Sequence, residues 1–325
     1  MSAHPFFDRR LLRLAQTARV HLTATILLGL LGGVLTVLQA QGLSRVVGQV
    51  FLAGGDLASA RPLLIGLAAL ALGRALAVGG SEAAAVRIAS TVKRNLREQL
   101  FEHLLALGPA HVRDPAAAAD GERTGELTNT LTEGIEALDL YFSQYLPALV
   151  MAVLTPLTIL VFVAPLDLIS GLVLFLTAPL IPVFMILIGG LGDALARRQW
   201  TALSRMSAHF LDVLQGLTTL KLFNRSREQI GVIAEISDRH RAATMAVLRV
   251  TFLSALALEL VSTLSIAVVA VQVGLRLLFG YLPFEQAFFV LILAPEFYLP
   301  LRNLGLRFHA AMTGATAGQQ IFAIL

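Results

Sequence analysis

The chain has 325 residues, of which 56% are hydrophobic and only 14% charged, against about 45–50% and about 25% in ordinary soluble domains. So large an apolar excess, arranged in long blocks, excludes a soluble, fibrous or disordered protein and requires lipid around it. Zero cysteines exclude a disulfide framework, a Cys-ligated zinc or iron–sulfur centre and thiol redox chemistry run by the chain itself, and the net charge of +4, almost all arginine apart from Lys93 and Lys221, fits cytoplasmic-side charge and not a nucleic-acid footprint.

A transmembrane helix needs about 20 mainly apolar residues. Six stretches meet that length: Val20–Leu43, Pro62–Gly80, Tyr141–Val163, Ile169–Leu191, Arg249–Leu278 and Phe284–Arg307. The first exceeds the apolar core of a cleaved signal peptide, and Leu38-Gln39-Ala40-Gln41 is a poor cleavage site. An all-α integral membrane protein follows, with an N-terminal arm over 1–19 and a six-helix domain over 20–310.

Arginines set the orientation. Arg9, Arg10, Arg13 and Arg19 precede the first span; Arg87, Lys93, Arg94, Arg97, Arg113 and Arg123 lie in 81–140; Arg197, Arg198, Arg205, Lys221, Arg225, Arg227, Arg239 and Arg241 lie in 192–248. The alternate loops carry only Arg45 and Arg61. Both termini are therefore expected in the cytoplasm, at the plasma (inner) membrane.

The two inner loops are long but not loop-like in composition. Val86, Ala89, Val92, Leu96, Leu100 and Leu104 recur at helical spacing, and Leu203–Leu222 and Ile230–Leu248 behave likewise. Spans two to five are thus expected to continue as helices for roughly 30 Å into the cytoplasm, turning near Pro109–Gly125 and Gln215–Ser226. Within the spans, Pro147, Pro156, Pro179, Pro182, Pro295 and Pro300 are expected to interrupt or bend helices.

This layout resembles the membrane domain of six-helix ATP-binding-cassette (ABC) exporters. Thr124-Gly125-Glu126-Leu127 and Gln215-Gly216-Leu217-Thr218-Thr219-Leu220-Lys221-Leu222-Phe223 look like the stretches at that family's two coupling turns, and Gln320-Ile321-Phe322-Ala323-Ile324-Leu325 looks like the linker into its nucleotide-binding domain. Longer strings, among them Ser207-Ala208-His209-Phe210-Leu211-Asp212 and Ala294-Pro295-Glu296-Phe297-Tyr298-Leu299-Pro300-Leu301-Arg302, are similar to the D subunits of heterodimeric thiol-reductant exporters needed for cytochrome bd assembly. The resemblance implies a paralogous second subunit, nucleotide-binding domains supplying ATP and Mg, and a cysteine, glutathione or haem substrate. It makes Pro115, Gly121, Gly125, Gly216, Leu220 and Phe223 the candidate coupling residues and 311–325 the start of the linker. Residues 1–325 contain no G-x-x-x-x-G-K-[ST], and neither lysine follows a glycine. ATP hydrolysis is therefore expected from a separate or missing domain, with no catalytic residue or cofactor in this chain.

Ionisable groups inside spans cost about 2.5–3.5 kcal/mol each at mid-helix, so Arg74, Glu259, Glu296 and Arg302 each demand a reason. Two readings stand side by side: a polar patch attracting an anionic substrate, or interhelical ion pairs that lock packing. In span six, Tyr298, Arg302, Gly305 and His309 share one helical face. His309 is a candidate haem ligand or pH sensor, or simply an interfacial histidine. Phe297, Tyr298 and Phe308 are candidates to stack on a porphyrin. His111, Asp114, Asp120 and Glu122 are too irregularly spaced for a metal site. An ion-coupled carrier with a proton site at Glu259 or Glu296 is the alternative function.

Overall fold

A computed structural model describes residues 18–52, 54, 57–112 and 134–324, together with Leu14. Among these residues every extended element is helical. In chain order they are α1 (Arg19–Val47), α2 (Leu57–Val112), α3 (Ile135–Leu140), α4 (Leu146–Val163), α5 (Leu168–Thr177), α6 (Leu180–Gln215), α7 (Leu217–Leu222), α8 (Glu228–Leu278) and α9 (Phe284–Ile324). Among the described residues six helices are long and apolar enough to cross a membrane; they contain five of the expected spans and all but the last three residues of the fourth. Single π-helical turns follow α1 (Gly48–Leu52) and precede α4 (Tyr141–Tyr145).

Two helices far exceed the bilayer. The 56 residues of α2 make a rod of about 84 Å at 1.5 Å per residue, against a hydrocarbon core of about 30 Å. The 51 residues of α8 reach about 77 Å by the same arithmetic. The helical extensions expected of spans two, four and five are therefore present, while most of that expected of span three lies outside the described residues.

The chain divides into two compact units, residues 1–178 with 263–325 and residues 179–262. In the first, α1 packs along α2, and α9 lies against α1, α3 and α4. The core is densest where α2 leaves its apolar span. Ile88, Ala89, Val92, Leu96 and Leu100 are buried there, with Ile135, Leu138, Tyr141, Phe142 and Tyr145. Tyr141 meets Phe142 edge to face at 5.2 Å between ring centroids, a favourable aromatic geometry. The expected stripe on α2 is corrected at one end: Val86 is exposed and Ala85 and Ile88 take the inward positions. Leu104's side chain lies outside the described residues.

Close approach of α9 to α3 depends on Gly314. A Cβ there would sit 2.9 Å from the Ala137 carbonyl oxygen, so any side chain would force the two backbones apart. Lys93 of α2 binds Glu136 at 2.8 Å and Asp139 at 2.7 Å, and Arg97 also pairs with Glu136. These exposed pairs orient the surface more than they stabilise it.

In the second unit α6 and the N-terminal part of α8 are joined through α7. Gln199 Nε2 donates to Thr244 Oγ1 at 3.2 Å, linking α6 to α8. Here most large apolar side chains below the span remain exposed, Phe210, Leu211 and Leu214 among them.

The prolines interrupt a helix at one of the six expected positions. Pro156, Pro295 and Pro300 sit inside α4 and α9 without ending either helix. Pro147 and Pro182 occupy first helical turns, where a missing N–H costs nothing. Only Pro179, between α5 and α6, coincides with a break.

Candidate functional site

Three helices of the larger unit bring polar groups together inside the apolar spans. Arg74 of α2 donates from Nη2 to both carboxylate oxygens of Glu296 on α9, each at 3.0 Å. Its Nη1 donates to Gln39 Oε1 of α1 at 3.4 Å. Both charged side chains are about one-third exposed (34% and 30%), so the pair is neither sealed in the core nor free in solvent. Of the pairings open from sequence, the structure forms this one. Gln39 was not singled out by the sequence; its only signal was a polar residue inside the first span.

Tyr298 lies two residues beyond Glu296 and is fully buried. Its hydroxyl is 2.6 Å from Thr177 Oγ1 of α5 and hydrogen-bonds Ser265 of α8. It therefore staples α9 to two neighbours and does not line an open path. Leu301, Leu304, Gly305 and Phe308 are buried along α9, while Arg302 is half-buried. Arg307 Nη1 donates to the Gln144 carbonyl at 3.2 Å. The polar face expected on span six is thus largely a packed face. Phe297, Tyr298 and Phe308 are enclosed by protein, and Phe297 and Tyr298 meet edge to face at 5.0 Å. Their rings have no free face for a porphyrin, so these aromatics do not fit haem. His309's side chain lies outside the described residues, and Glu259 belongs to the second unit, where it is exposed.

A second ionic cluster carries no mid-span charge and was not expected from sequence. Asp167 caps α5: its carboxylate accepts from the amides of Ile169 and Ser170 at 3.3 Å each and from the Ser170 hydroxyl. Arg276, in the last turn of α8, donates from Nη1 to both Asp167 oxygens at 2.7 Å. Gln272 Nε2 adds a bond to Ser170 Oγ at 3.2 Å. Two signals of this cluster do stand in the sequence, an Asp directly before an apolar run and a lone arginine ending a span.

Burial opposes ionisation of Asp167, yet the hydrogen bonds from Arg276 and Ser170 and the arginine's charge outweigh it and hold the carboxyl below its ordinary range. A depressed native pKa contributes stability above the unfolded value of about 3.9 and loses it as pH falls through the native one. The Asp167 side chain is only 2% exposed, so Arg276→Ala strands a buried charge. A loss of about 3–5 kcal/mol is expected. The thermal stabilities of the native protein and Asp167→Asn should differ at neutral pH and converge as pH drops below the unfolded value. A constant gap across that range would remove the ion pair from the account.

The second inner turn is fully described and falls at the expected place, near Gln215–Ser226. α6 stops at Gln215, Gly216 interrupts the helical run read over Leu203–Leu222, and α7 follows as a separate six-residue helix. Its C-terminus closes by two backbone bonds, Arg225 N to Leu220 O at 2.8 Å and Asn224 N to Lys221 O at 3.1 Å. Asn224 takes the left-handed conformation this closure requires (φ 56°). The turn presents Leu222 (81% exposed) and Phe223 (74% exposed) outward, while Leu220 is half-buried. Pro115, Gly121 and Gly125 of the first turn, with Thr124–Leu127, lie outside the described residues.

Six membrane-crossing helices, extensions beyond them, and an apolar knob on a short helix between two long ones make up the arrangement. Residues 22–296 match the model of the ABC transporter transmembrane region. The chain is 36% identical over 319 residues to the "Transport ATP-binding protein AarD" of Providencia stuartii, covering 95% of this chain and 53% of that protein. It is 38% identical over 231 residues to the "Glutathione/L-cysteine transport system ATP-binding/permease protein CydC" of Bacillus subtilis (71% of this chain, 40% of that protein). Against the corresponding CydD of Escherichia coli it is 36% identical over 307 residues (91% and 50%). The chain spans about half the length of these curated relatives. On the family match and these identities together, it belongs to the ABC transporter transmembrane-region family.

Proposed function

We propose that this chain is the membrane-spanning half of an ATP-driven exporter of glutathione or cysteine in a bacterial inner membrane, acting with a paralogous second subunit in support of cytochrome bd assembly. The observation that carries the reading is α7: a short helix at the end of two long extensions, offering Leu222 and Phe223 to something outside the chain. Relatives named as glutathione/L-cysteine transport proteins support the substrate class. ATP and Mg are supplied by nucleotide-binding domains, whose closure moves α7 and the first inner turn. The long extensions then carry that motion into the spans. The exposed apolar residues Phe210, Leu211 and Leu214 on α6 are the kind of surface a second half covers.

The test is the chain reconstituted with its nucleotide-binding domains and partner subunit in proteoliposomes. Glutathione or cysteine should raise ATP hydrolysis and accumulate in an ATP-dependent manner. Transport driven by a pH gradient without ATP would instead establish the ion-coupled carrier.

Topology is tested separately. Asp167, on the outer side in the sequence-based expectation, is buried, so Leu168 (74% exposed) replaces it as reporter. In this cysteine-free chain, Leu168→Cys should react with an impermeant thiol reagent from outside, and Arg225→Cys only after permeabilisation. The reverse pattern overturns the orientation and, with it, the role of α7.

A further inference from the structure

Within the second unit, α6 and α8 enclose a groove of about 520 Å³ lined by Arg198, Thr201, Ala202 and Arg205 from α6 and by Ile236 and Arg239 from α8. Arg198 and Arg205 are two helical turns apart on one face, about 10 Å along the axis, and Arg239 reaches the same space from the opposite helix. Arg239 pairs with Glu235 on its own helix. Among the described residues no carboxylate lies within ion-pair distance of Arg198 or Arg205. Three arginine side chains line one small concavity, and two of them have no ion-pair partner among the described residues. Guanidinium forks match phosphate and carboxylate oxygens in geometry as well as charge.

Depth along the helices separates a soluble ligand from a lipid headgroup. The apolar, exposed end of the fourth span includes Ile186 and Leu187. Measured from Leu191, the end of the expected fourth span, Arg198 stands about 10 Å along the helix and Arg205 about 21 Å, whereas the polar headgroup layer is only about 5–8 Å deep. Arg239 lies ten residues before Arg249, where the apolar stretch of the fifth span begins, about 15 Å away. We propose that this groove binds a small soluble anion carrying two or more oxyanion groups, phosphate or carboxylate. Clamped across α6 and α8, which hold α7 between them, such a ligand sets their spacing and so tunes the position of the coupling knob. The proposal does not depend on which molecule is exported.

Pyrophosphate is the probe, titrated calorimetrically into the full chain in nanodiscs of zwitterionic phospholipid at about 0.15 M salt. Saturable binding is expected, weakened tenfold or more by Arg198→Gln and by Arg205→Gln, with melting temperatures unchanged because these side chains are exposed. Arg205→Lys keeps the charge but loses the fork and should fall between. Arg241→Gln, exposed and paired with Asp238 outside the groove, should bind like the native chain. Absence of saturable binding at millimolar probe overturns the proposal, and so does equal weakening by Arg241→Gln, which would mean general charge attraction. Nanodiscs of phosphatidylglycerol supply the last arm. Charge on that surface is screened over about 8 Å, so a soluble-ligand groove keeps its affinity there; competition by the anionic lipid would make a headgroup the occupant and overturn the assignment.

Discussion

Replacing Leu222 and Phe223 together by aspartate is expected to lower ATP-driven transport by two orders of magnitude or more while leaving membrane insertion and basal ATP hydrolysis intact. Both side chains stand outside the fold, 81% and 74% exposed, so the substitutions remove nothing that α7 needs for its own structure. The turn is held by backbone bonds from Arg225 and Asn224, which the variants retain. What they remove is a pair of apolar anchors. Anchors of this kind contribute about 2–4 kcal/mol each when buried in a partner's pocket, and a charge driven into that pocket adds a desolvation cost. Leu220 is half-buried and is the poorer target, since its loss disturbs α7 itself. The measurement is the ratio of substrate moved to ATP hydrolysed in proteoliposomes. An unchanged ratio would mean that α7 does not carry the force.

The second large effect concerns the intramembrane pair. Arg74→Ala and Glu296→Gln each leave one partner of a two-pronged, 3.0 Å ion pair without its counter-charge. Fully buried pairs lose about 3–5 kcal/mol when broken on one side. With about a third of each side chain exposed (34% and 30%), water relieves part of that, and a loss of about 3 kcal/mol is expected. The double variant Arg74→Gln/Glu296→Gln should recover most of it. Thermal unfolding of the four proteins, read beside substrate-stimulated ATP hydrolysis, separates the two roles open from sequence. Stability lost in the singles and regained in the double identifies a packing lock. Full stability with lost stimulation identifies a substrate contact, and Arg302→Ala is the control that leaves this pair in place.

How much was legible beforehand follows from what each feature depends on. Span positions depend on runs of about 20 apolar residues, a local property, and all six were readable. The extensions were readable because buried positions on α2 repeat at helical spacing, although Val86 shows that a stripe can be assigned one position out of phase where small alanines, here Ala85, compete for the inward face. The turn near Gln215–Ser226 was readable, but the short helix α7 inside it was not, because its one interruption, Gly216, leaves the apolar spacing of Leu203–Leu222 unchanged. Which prolines end a helix was not readable for a related reason: a proline removes one helical hydrogen bond, but surrounding helices can hold the rest, as at Pro295 and Pro300 in α9. Candidate charges were recognisable from their cost in lipid. Which arginine meets which glutamate depends on the register between α2 and α9, and no single-helix pattern contains it.

The uneven tying of the two units has a consequence for how the protein is made. The larger unit is stitched by ion pairs at Arg74–Glu296 and Arg276–Asp167 and by buried rings. The ion pairs Arg225–Glu228, Arg239–Glu235 and Arg241–Asp238 of the hairpin over 179–262 join only residues three or four apart, and it leaves Phe210, Leu211, Leu222 and Phe223 bare. Segments of that kind open at small free-energy cost, and opened chain is what cellular proteases capture. On the proposed function, a subunit without its partners would display its own degradation signal on the very surface that assembly conceals. Subunit stoichiometry in the cell would then be set by survival after synthesis, with surplus copies cleared and only completed exporters persisting.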